Sequence, residues 1–467
     1  WGNPPNETTP YVRFDDSNLP VAGASPTTAQ QNSTVVLTSK SYGHLGGNSL
    51  AAQIIDPEGA ENQPLSVALT GNVIRINPAT NENGEITSTA AEVVQAVNAH
   101  PQVSNLVRAS LWRTNAGQGV VQPGPRSPLS DLLRAPASIP RGPQDQWMLR
   151  VGKDRDGSKV GVFLYCQEHG NELATSGVCL ETAERLVRNY GLDPLTTELV
   201  DNLDIFILPQ INGDGAIHSL YDSNRRKNLS HDCFDTERFP QNVTDPAQRN
   251  SWGIDLNRNF SVGSVFDGFQ GASATNCTSG NFAGLFEHSE PEVRNETWVQ
   301  TNFRNIKFAN NIHSSGGYFM WPPGAYTPQR EPLPYPEYGT LNFFDQTGKT
   351  VLDWIKGHRG TGILPQQTGP VIDVLYSAAG NSADEAWYVN GIIGFDFEIG
   401  ATHYNDTGSG PATCNPGQQP PFGTNTTNPC LLNEGFHEAM EFASGNYGLL
   451  IEALKYARDT TPPNVEA

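Results

Sequence analysis

The chain has 467 residues and is acidic, since 49 Asp and Glu outweigh 29 Lys and Arg to give a formal net charge of −20. This charge argues against nucleic acid or an anionic membrane surface as a partner, because both are bound through positive fields. Aromatic residues make up 9% of the chain, and no window approaches about 18 consecutive apolar residues, so we expect a globular chain without a transmembrane helix.

The amino-terminal third is predicted to be an arm followed by a β-rich region. Residues 1–30 are polar, Pro-rich and without periodicity, which is typical of an extended arm. Residues 31–145 contain strand-like runs at 34–37 and 73–76 that are separated by turn-rich stretches. We treat this region as a small domain, and its role stays open.

One helix is predicted within this region, over 88–108, because Thr89 and Glu92 have the spacing of a capping box and valines follow at helical intervals. It belongs either to the β-rich domain or to the domain after it. The Gly- and Pro-rich stretch 117–143 is predicted to be a linker.

From residue 146 to about 460 the pattern alternates between strands and helices. Buried strands are predicted at 160–165, 203–208 and 306–313, and a helix at 174–189. This order indicates an α/β sheet with helices on both faces.

A further strand at 394–399 has alternating polarity. Phe395, Phe397 and Ile399 are predicted on one face, with Asp396 and Glu398 on the other. A pair of carboxylates on an apolar strand is costly unless that face borders a cleft, so we expect one there.

The strongest candidates for chemistry are two histidines and a glutamate. His169 and Glu172 follow the strand at 160–165, and His313 ends the strand at 306–313. Two imidazoles and a carboxylate form the kind of ligand set that binds a catalytic zinc ion and leaves a position open for water. Loops at the carboxyl ends of such strands are the usual place for a site.

Two further features are suited to catalysis but have simpler explanations. Asn257 and Arg258 offer an amide and a guanidinium that could hold a carboxylate, although taken alone Arg258 is better explained as a structural partner of Asp255. Glu398 could act as a general base or could form a salt bridge.

The cysteines favour an oxidising compartment. Six cysteines allow 15 pairings, and the short separations favour Cys166–Cys179 and Cys414–Cys430, which leaves Cys233–Cys277. The chain starts at Trp1 without a leader, so we expect that any signal peptide lies outside this numbering and that the protein is secreted. Nine Asn-x-Ser/Thr sequons are compatible with a glycoprotein, at Asn6, Asn32, Asn228, Asn242, Asn259, Asn276, Asn295, Asn405 and Asn425.

Taken in order, these motifs resemble the zinc carboxypeptidases of the pancreatic A/B type over about residues 147–455. The order is H-x-x-E at 169–172, N-x-D-G at 212–215, D-x-N-R-N-F at 255–260, I-H-S at 312–314, Y-x-A-x-G-x-S-x-D at 376–384 and F-x-F-E at 395–398. The resemblance implies a three-layer α/β/α carboxypeptidase-like domain with a mixed central sheet, which here follows the smaller β-rich region.

The resemblance also assigns roles. It implies that His169, Glu172 and His313 hold one zinc ion and that Glu398 activates the zinc-bound water. Asn257 and Arg258 would bind the α-carboxylate of a peptide or protein C-terminus, and Tyr376 would close over the terminal residue. The Cys166–Cys179 and Cys233–Cys277 pairs match bridges found in the family.

The sequence also departs from the family pattern. Asn171 replaces an arginine near the zinc motif, Ser315 replaces a tyrosine, and the motif that supplies the oxyanion-stabilising arginine ends in leucine. Arg226 is our candidate for that arginine, with Arg225 in reserve.

The resemblance indicates the preferred C-terminal side chain less clearly than it indicates the catalytic residues. Ala383 occupies the position that is apolar in A-type and Asp in B-type enzymes, which favours apolar residues. Asp396 and Asp384 could instead give the pocket a negative floor. We expect apolar or broad specificity by a narrow margin.

Two alternatives to a secreted carboxypeptidase remain open. One is a cell-wall peptide amidase on the same fold, and the other is an inactive peptidase-like adhesion protein. The oligomeric state is not indicated.

Overall fold

The computed structural model describes residues 11–14, 32–111, 116–131, 135–136, 139–140, 142–221, 225–230, 251–360, 362–363, 365–400 and 434–459. Within these residues the chain forms two compact units. The first holds the described residues through Gln144, together with 229–230, 251–253 and 275–278, and the second holds the rest.

The first unit is rich in β-structure. Its described strands are β1 (Tyr11–Phe14), β2 (Val35–Ser39), β3 (Ala51–Ile54), β4 (Ser66–Thr70), β5 (Val73–Asn77), β6 (Val107–Leu111) and β7 (Ser127–Pro128), and its helices are α1 (Ala90–Ala99) and α2 (Val103–Leu106). The strands form two sheets, in the orders β1-β2-β6 and β4-β5-β3-β7. The β-rich prediction for this region is confirmed. One hydrophobic core joins both sheets to α1.

The predicted helix over 88–108 is wrong in its extent. The capping box of Thr89 and Glu92 is formed and starts α1, but α1 ends before His100, whose backbone is extended. Pro101 follows, and a residue before proline is biased away from helical angles. The chain then forms α2 and enters β6, so Val107 lies in a strand.

The predicted linker at 117–143 is also wrong in part. β7 pairs with β3, and Val121 and Leu129 are fully or almost fully buried in the core of the first unit. Glycine and proline are abundant there, but the apolar residues between them are anchored.

The second unit is built on one mixed sheet. Its strands are β8 (Leu149–Val151), β9 (Val160–Cys166), β10 (Leu203–Leu208), β11 (Ile306–Ser314), β12 (Tyr318–Trp321), β13 (Thr368–Pro370) and β14 (Ile393–Ile399), in the order β13-β12-β14-β11-β9-β10-β8. Its described helices are α3 (Leu173–Asn189), α4 (Pro194–Asn202), α5 (Gly213–Tyr221), α6 (Pro291–Asn302), α7 (Tyr338–Arg359), α8 (Val371–Val374), α9 (Ser382–Asp384) and α10 (Glu434–Arg458). Strands β10, β9, β11 and β14 are parallel, while β8 and β12 pair antiparallel with their neighbours.

Alternating side chains of the central strands enter two separate cores. Val162 and Leu164 of β9 pack in a core with α3, α7 and α10. Phe163 and Tyr165 pack in another core, which includes Val293 of α6. Helices therefore cover both faces, which confirms the predicted three-layer α/β/α fold with a mixed sheet.

The described residues bear on two further predictions, the absence of a transmembrane helix and the disulfide pairing. Among the described helices, none is both long and apolar enough to cross a membrane. Cys166 and Cys179 form a disulfide. Cys277 is also disulfide-bonded, but its predicted partner Cys233 and the pair Cys414 and Cys430 lie outside the described residues.

Two of the sequons cannot carry a glycan in the folded protein. The side chains of Asn228 and Asn259 are fully buried and donate hydrogen bonds to Glu290 and to the carbonyl of Ala283, respectively.

Candidate active site

Three parallel strands bring the candidate residues to one edge of the sheet. β9 ends at Cys166, three residues before His169, while His313 and Glu398 are directly paired near the ends of β11 and β14. Because parallel strands end at the same edge, residues far apart in sequence meet there.

His169, Glu172 and His313 form a buried cluster whose potential ligand atoms all lie within 4.8 Å of one another. Glu172 lies between the imidazoles, with Oε1 2.7 Å from Nδ1 of His169 and Oε2 3.0 Å from Nδ1 of His313. Burial alone would raise the pKa of Glu172, but the two imidazoles lower it well below its usual range. The cluster therefore contains an ionised carboxylate and two nitrogen donors.

Two further carboxylates face the other nitrogens of the imidazoles. Nε2 of His169 lies 3.1 Å from Asp255, and Nε2 of His313 lies 3.3 Å from Glu168. If Nε2 of His169 donates its proton to Asp255, its Nδ1 keeps a lone pair facing Glu172. His313 has the same tautomer if its Nε2 donates to Glu168 and does not accept from Nδ2 of Asn257, which lies 3.0 Å away. The donor set and its orientation thus fit a zinc ion.

Arg226 extends towards the same cluster. Its Nε and Nη2 donate to one oxygen of Asp255 at 2.9 and 2.8 Å, and its Nη1 lies 3.2 Å from Nδ1 of His169. Although burial opposes ionisation of Asp255, Arg226 and His169 hold its pKa well below its usual range. Asp255 thus pairs with Arg226 and His169. The pair with Arg258, which the sequence alone favours, is not formed among the described residues.

Glu398 is the candidate base. Its Oε2 is buried and has no hydrogen-bond partner. Burial and the neighbouring carboxylate of Glu172 raise the pKa of Glu398 to about 7, although nearby cations oppose them. A salt bridge, the simpler explanation of this residue, is not formed among the described residues.

Arg258 and Tyr376 line an open cleft of about 570 Å³ with Arg226. Arg258 is held by its own surroundings, since Nε donates to the carbonyl of Gly271 at 3.0 Å and Nη1 donates to the carbonyl of Asn257. Tyr376 is 47% exposed and its ring centroid lies 6.0 Å from the Arg258 guanidinium. Exposure of this kind leaves Tyr376 free to contact a ligand.

Asn257 is placed between the cluster and α9. Its Oδ1 accepts the backbone N–H of Ser382 at 2.9 Å, and its Nδ2 lies 3.0 Å from Nε2 of His313. Ala383, the next residue of α9, is fully buried, and Asp396 is 5% exposed. Ala383 lies on the sheet face that carries Asp396 and Glu398, because a β-carbon at Gly394 on that face would lie 3.5 Å from its Cα.

Arg225, the reserve candidate for the oxyanion-stabilising arginine, is bonded to the protein backbone, and Gly324 is closely packed. Arg225 is buried, and its guanidinium donates to the carbonyl of Asn228 at 2.8 Å. A β-carbon at Gly324 would lie 2.3 Å from the amide of Asn381 and 2.9 Å from Asp384. The absence of a side chain at Gly324 thus permits this close packing.

Sequence reasoning missed Glu168, and the pair of Asp255 with Arg258 that it offered as the simpler explanation is replaced by pairs with Arg226 and His169. A carboxylate directly before a candidate zinc histidine, at the end of a buried strand, was the available signal for Glu168. Nothing in the sequence alone indicates that it faces His313 instead of its neighbour His169.

The chain was compared with known families and proteins. The family described as zinc carboxypeptidase matches residues 143–409. Carboxypeptidase A1 of Rattus norvegicus is 31% identical over 250 residues, which are 52% of this chain and 51% of the relative. Carboxypeptidase A2 of Mus musculus is 27% identical over 253 residues, 53% of each chain. The chain thus spans about half the length of the curated relatives it matches.

Two solved structures are also similar. A crystal structure of thrombin activatable fibrinolysis inhibitor has 22% identity and a TM-score of 0.49, with 66% of each chain covered. Carboxypeptidase A from Helicoverpa armigera has 22% identity and a TM-score of 0.48, with 67% of this chain and 66% of that chain covered.

Proposed function

The chain belongs to the zinc carboxypeptidase family, and on that premise we propose that it is a secreted metallocarboxypeptidase that removes the C-terminal residue of peptides and proteins. Its catalytic domain would span residues 146–460, preceded by the β-rich domain at 31–145 and the arm at 1–30. The observation that carries this proposal is the position of Glu398 and the Arg258 cleft beside the buried cluster of His169, Glu172 and His313.

His169, Glu172 and His313 would hold one zinc ion through the two Nδ1 atoms and the carboxylate. When bound, zinc polarises a peptide carbonyl and makes water a better nucleophile at neutral pH. Asp255 and Glu168 would fix the imidazoles in the orientation that binding requires.

Glu398 is proposed as the general base that takes a proton from the attacking water and delivers it to the leaving amine. A base is most effective when its pKa is close to the working pH, and burial with the Glu172 carboxylate raises the pKa of Glu398 to about 7. Since Oε2 has no protein partner, the carboxylate is not committed elsewhere.

Arg226 is proposed to stabilise the oxyanion that develops on the scissile carbonyl. Its guanidinium lies beside the cluster and is oriented by Asp255. Removing one such donor typically lowers kcat by about 10²–10³.

Asn257 and Arg258 are proposed to bind the free α-carboxylate. Arg258 is oriented by two backbone carbonyls, so its remaining donors are held towards the cleft at little entropic cost. Tyr376 would then cover the bound residue, because it lines the cleft beside Arg258 and is 47% exposed.

The test uses blocked dipeptides with a free or an amidated C-terminus. We expect the free acids to be cleaved and the amides to be turned over at least about 100-fold more slowly, because a buried arginine would lose its charged partner. Glu398→Gln should abolish turnover while retaining zinc, measured by metal analysis of the purified protein. Equal cleavage of acids and amides would refute the role of Arg258 and favour a peptide amidase, and zinc-loaded protein that cleaves neither would favour the inactive form.

A further inference from the structure

Asp396 is a buried carboxylate that the protein itself leaves without a partner. The residue is 5% exposed, and its Oδ1 is buried without a hydrogen bond. Among the described residues, no hydrogen bond or ion pair reaches either of its oxygens. Burial of a charged group is costly unless it is paired, so a partner from outside the chain would complete this site.

Two other acidic residues nearby, Asp384 and Glu168, accept hydrogen bonds from the protein. Asp384 accepts the backbone N–H of Gly324 at 2.9 Å and the side-chain amide of Asn381 at 2.7 Å. Glu168 accepts from Asn311 at 2.8 Å and faces His313. Asp384, which the sequence offered as a second acidic residue for a pocket floor, is thus occupied by the protein's own donors.

Strand register places Asp396 behind the proposed general base. On β14, Asp396 and Glu398 share a face, and Asp396 is paired with Asn311 of β11 and with Met320 of β12. Two residues along a strand span about 6.6 Å. Asp396 therefore lies one such step further from the strand end than Glu398.

Small, buried residues of α9 connect the proposed carboxylate anchor with the strand partner of Asp396. Asn257 accepts the N–H of Ser382, and the Ser382 hydroxyl accepts from Asn311, the strand partner of Asp396. Ala383 packs on the same face, since a β-carbon at Gly394 would lie 3.5 Å from its Cα. A residue whose α-carboxylate is held at Arg258 and Asn257 would direct its side chain along these small residues.

We propose, as an extension that rests on the proposed function, that Asp396 determines specificity and that the preferred C-terminal residue is lysine or arginine. The alkyl stem of either residue would pass Ala383, and its cation would pair with the carboxylate of Asp396. An apolar terminal residue would leave that carboxylate buried and unpaired. This reverses the apolar preference that Ala383 alone suggests.

The first experiment measures kcat/KM for blocked dipeptides that differ only in a terminal Lys, Arg, Leu or Phe. We expect at least about tenfold higher values for Lys and Arg, and a loss of about 100-fold for these two in Asp396→Asn. Leu and Phe should be unaffected or improved. Asp384→Asn is the matched control, because it changes a neighbouring buried acid that the protein already satisfies, and it should leave the ratio of Lys to Leu unchanged.

Several results would overturn the proposal. One is a wild-type preference for terminal Leu or Phe. Another is an equal loss of kcat/KM for all four substrates in Asp396→Asn while circular dichroism shows that the fold is intact. An Asp384→Asn protein that loses the Lys preference as fully as Asp396→Asn would also do so.

A binding measurement separates this proposal from the proposed function. Calorimetric titration of the zinc-loaded protein with Nα-acetyl-lysine and Nα-acetyl-leucine should show tighter binding of the former, lost in Asp396→Asn. If this preference is found but no dipeptide is cleaved, only the proposed function fails. If no preference for acetyl-lysine is found, the role of Asp396 is refuted whatever the turnover result.

Discussion

The neighbours of three carboxylates at the site shift their pKa values differently. Burial opposes ionisation of all three, but two imidazoles lower the pKa of Glu172 well below its usual range. For Glu398, burial is reinforced by Glu172, and the pKa is raised to about 7. For Asp396, burial dominates and His313 opposes it, which gives a pKa of about 6. These pKa values suit an ionised metal ligand at Glu172 and a general base at Glu398 that exchanges protons near neutral pH. They also suit a carboxylate at Asp396 that is charged above pH 6.

The pKa of Asp396 predicts how selectivity changes with pH. Burial and Glu168 raise this pKa, while His313, Arg258 and His169 lower it. Because the carboxylate is ionised above about pH 6, the ratio of kcat/KM for terminal Lys to terminal Leu should be constant above pH 7 and fall below pH 6. The ratio removes titrations that both substrates share.

The control for this pH profile is Asp396→Asn, whose ratio should be flat between pH 5 and 8. A wild-type ratio that is equally flat, or a mutant ratio that still falls below pH 6, would contradict the assignment of the titration to Asp396.

Individual residues could be predicted when a motif fixed their chemistry. The sequence was sufficient to nominate His169, Glu172 and His313, and the structure brings them together. It nominated Asp396 and Asp384 together but could not choose between them, because which acid keeps a free oxygen depends on where α9 and its loop place Asp384 and Asn381. Contacts of this kind are tertiary, and local pattern carries no information about them.

At the scale of elements, the ends of β9 and β11 supply both the ligands and their supports. Glu168 precedes His169 in the chain, yet it faces His313 of the neighbouring strand, while Asp255 reaches His169 from a separate loop. Each imidazole is therefore supported by a carboxylate from a different segment. Such supports orient a ligand and increase its basicity.

Removing either support should weaken zinc binding. We expect Glu168→Leu and Asp255→Asn each to raise the zinc dissociation constant about 10–100-fold, and Glu168→Gln, which keeps an acceptor oxygen, to have a smaller effect. Competition with a chelator of known affinity measures this without any turnover. Asp384→Asn serves as the control buried acid. Dissociation constants within about twofold of wild type for both substitutions would show that these carboxylates do not support the ligands.

Secondary structure was predictable where the apolar residues kept one periodicity along a segment, and less predictable where a helical spacing continued into a strand. The strands at 203–208 and 394–399 were located to within a residue. The helix over 88–108 was overextended because valines continue at helical spacing past Pro101 into β6, whose register with β2 is set by tertiary pairing. The stretch 117–143 looked like a linker because composition does not reveal that Val121 and Leu129 are buried.

At the scale of the whole molecule, the acidic composition leaves few cations for the proposed site, and Arg226 and Arg258 are both held there by hydrogen bonds. Composition predicted a globular, loop-rich chain without nucleic-acid partners, and motifs predicted the fold of the second unit. The role of the first unit could not be predicted, because its described residues form a hydrophobic core and two sheets without a recognisable set of chemical groups.

The division into units predicts the result of removing the amino-terminal region. Trp252 and Leu229 are buried and belong to the first unit although they lie far along the chain. A protein that starts at Pro140 would lack most of that unit and expose both side chains, so we expect it to be insoluble or to unfold at a temperature at least about 5 °C lower. The full chain gives the reference midpoint in differential scanning calorimetry. If the shorter protein folds with an unchanged midpoint and cleaves the blocked dipeptides, residues 146–460 are an autonomous catalytic domain and the amino-terminal region serves another purpose.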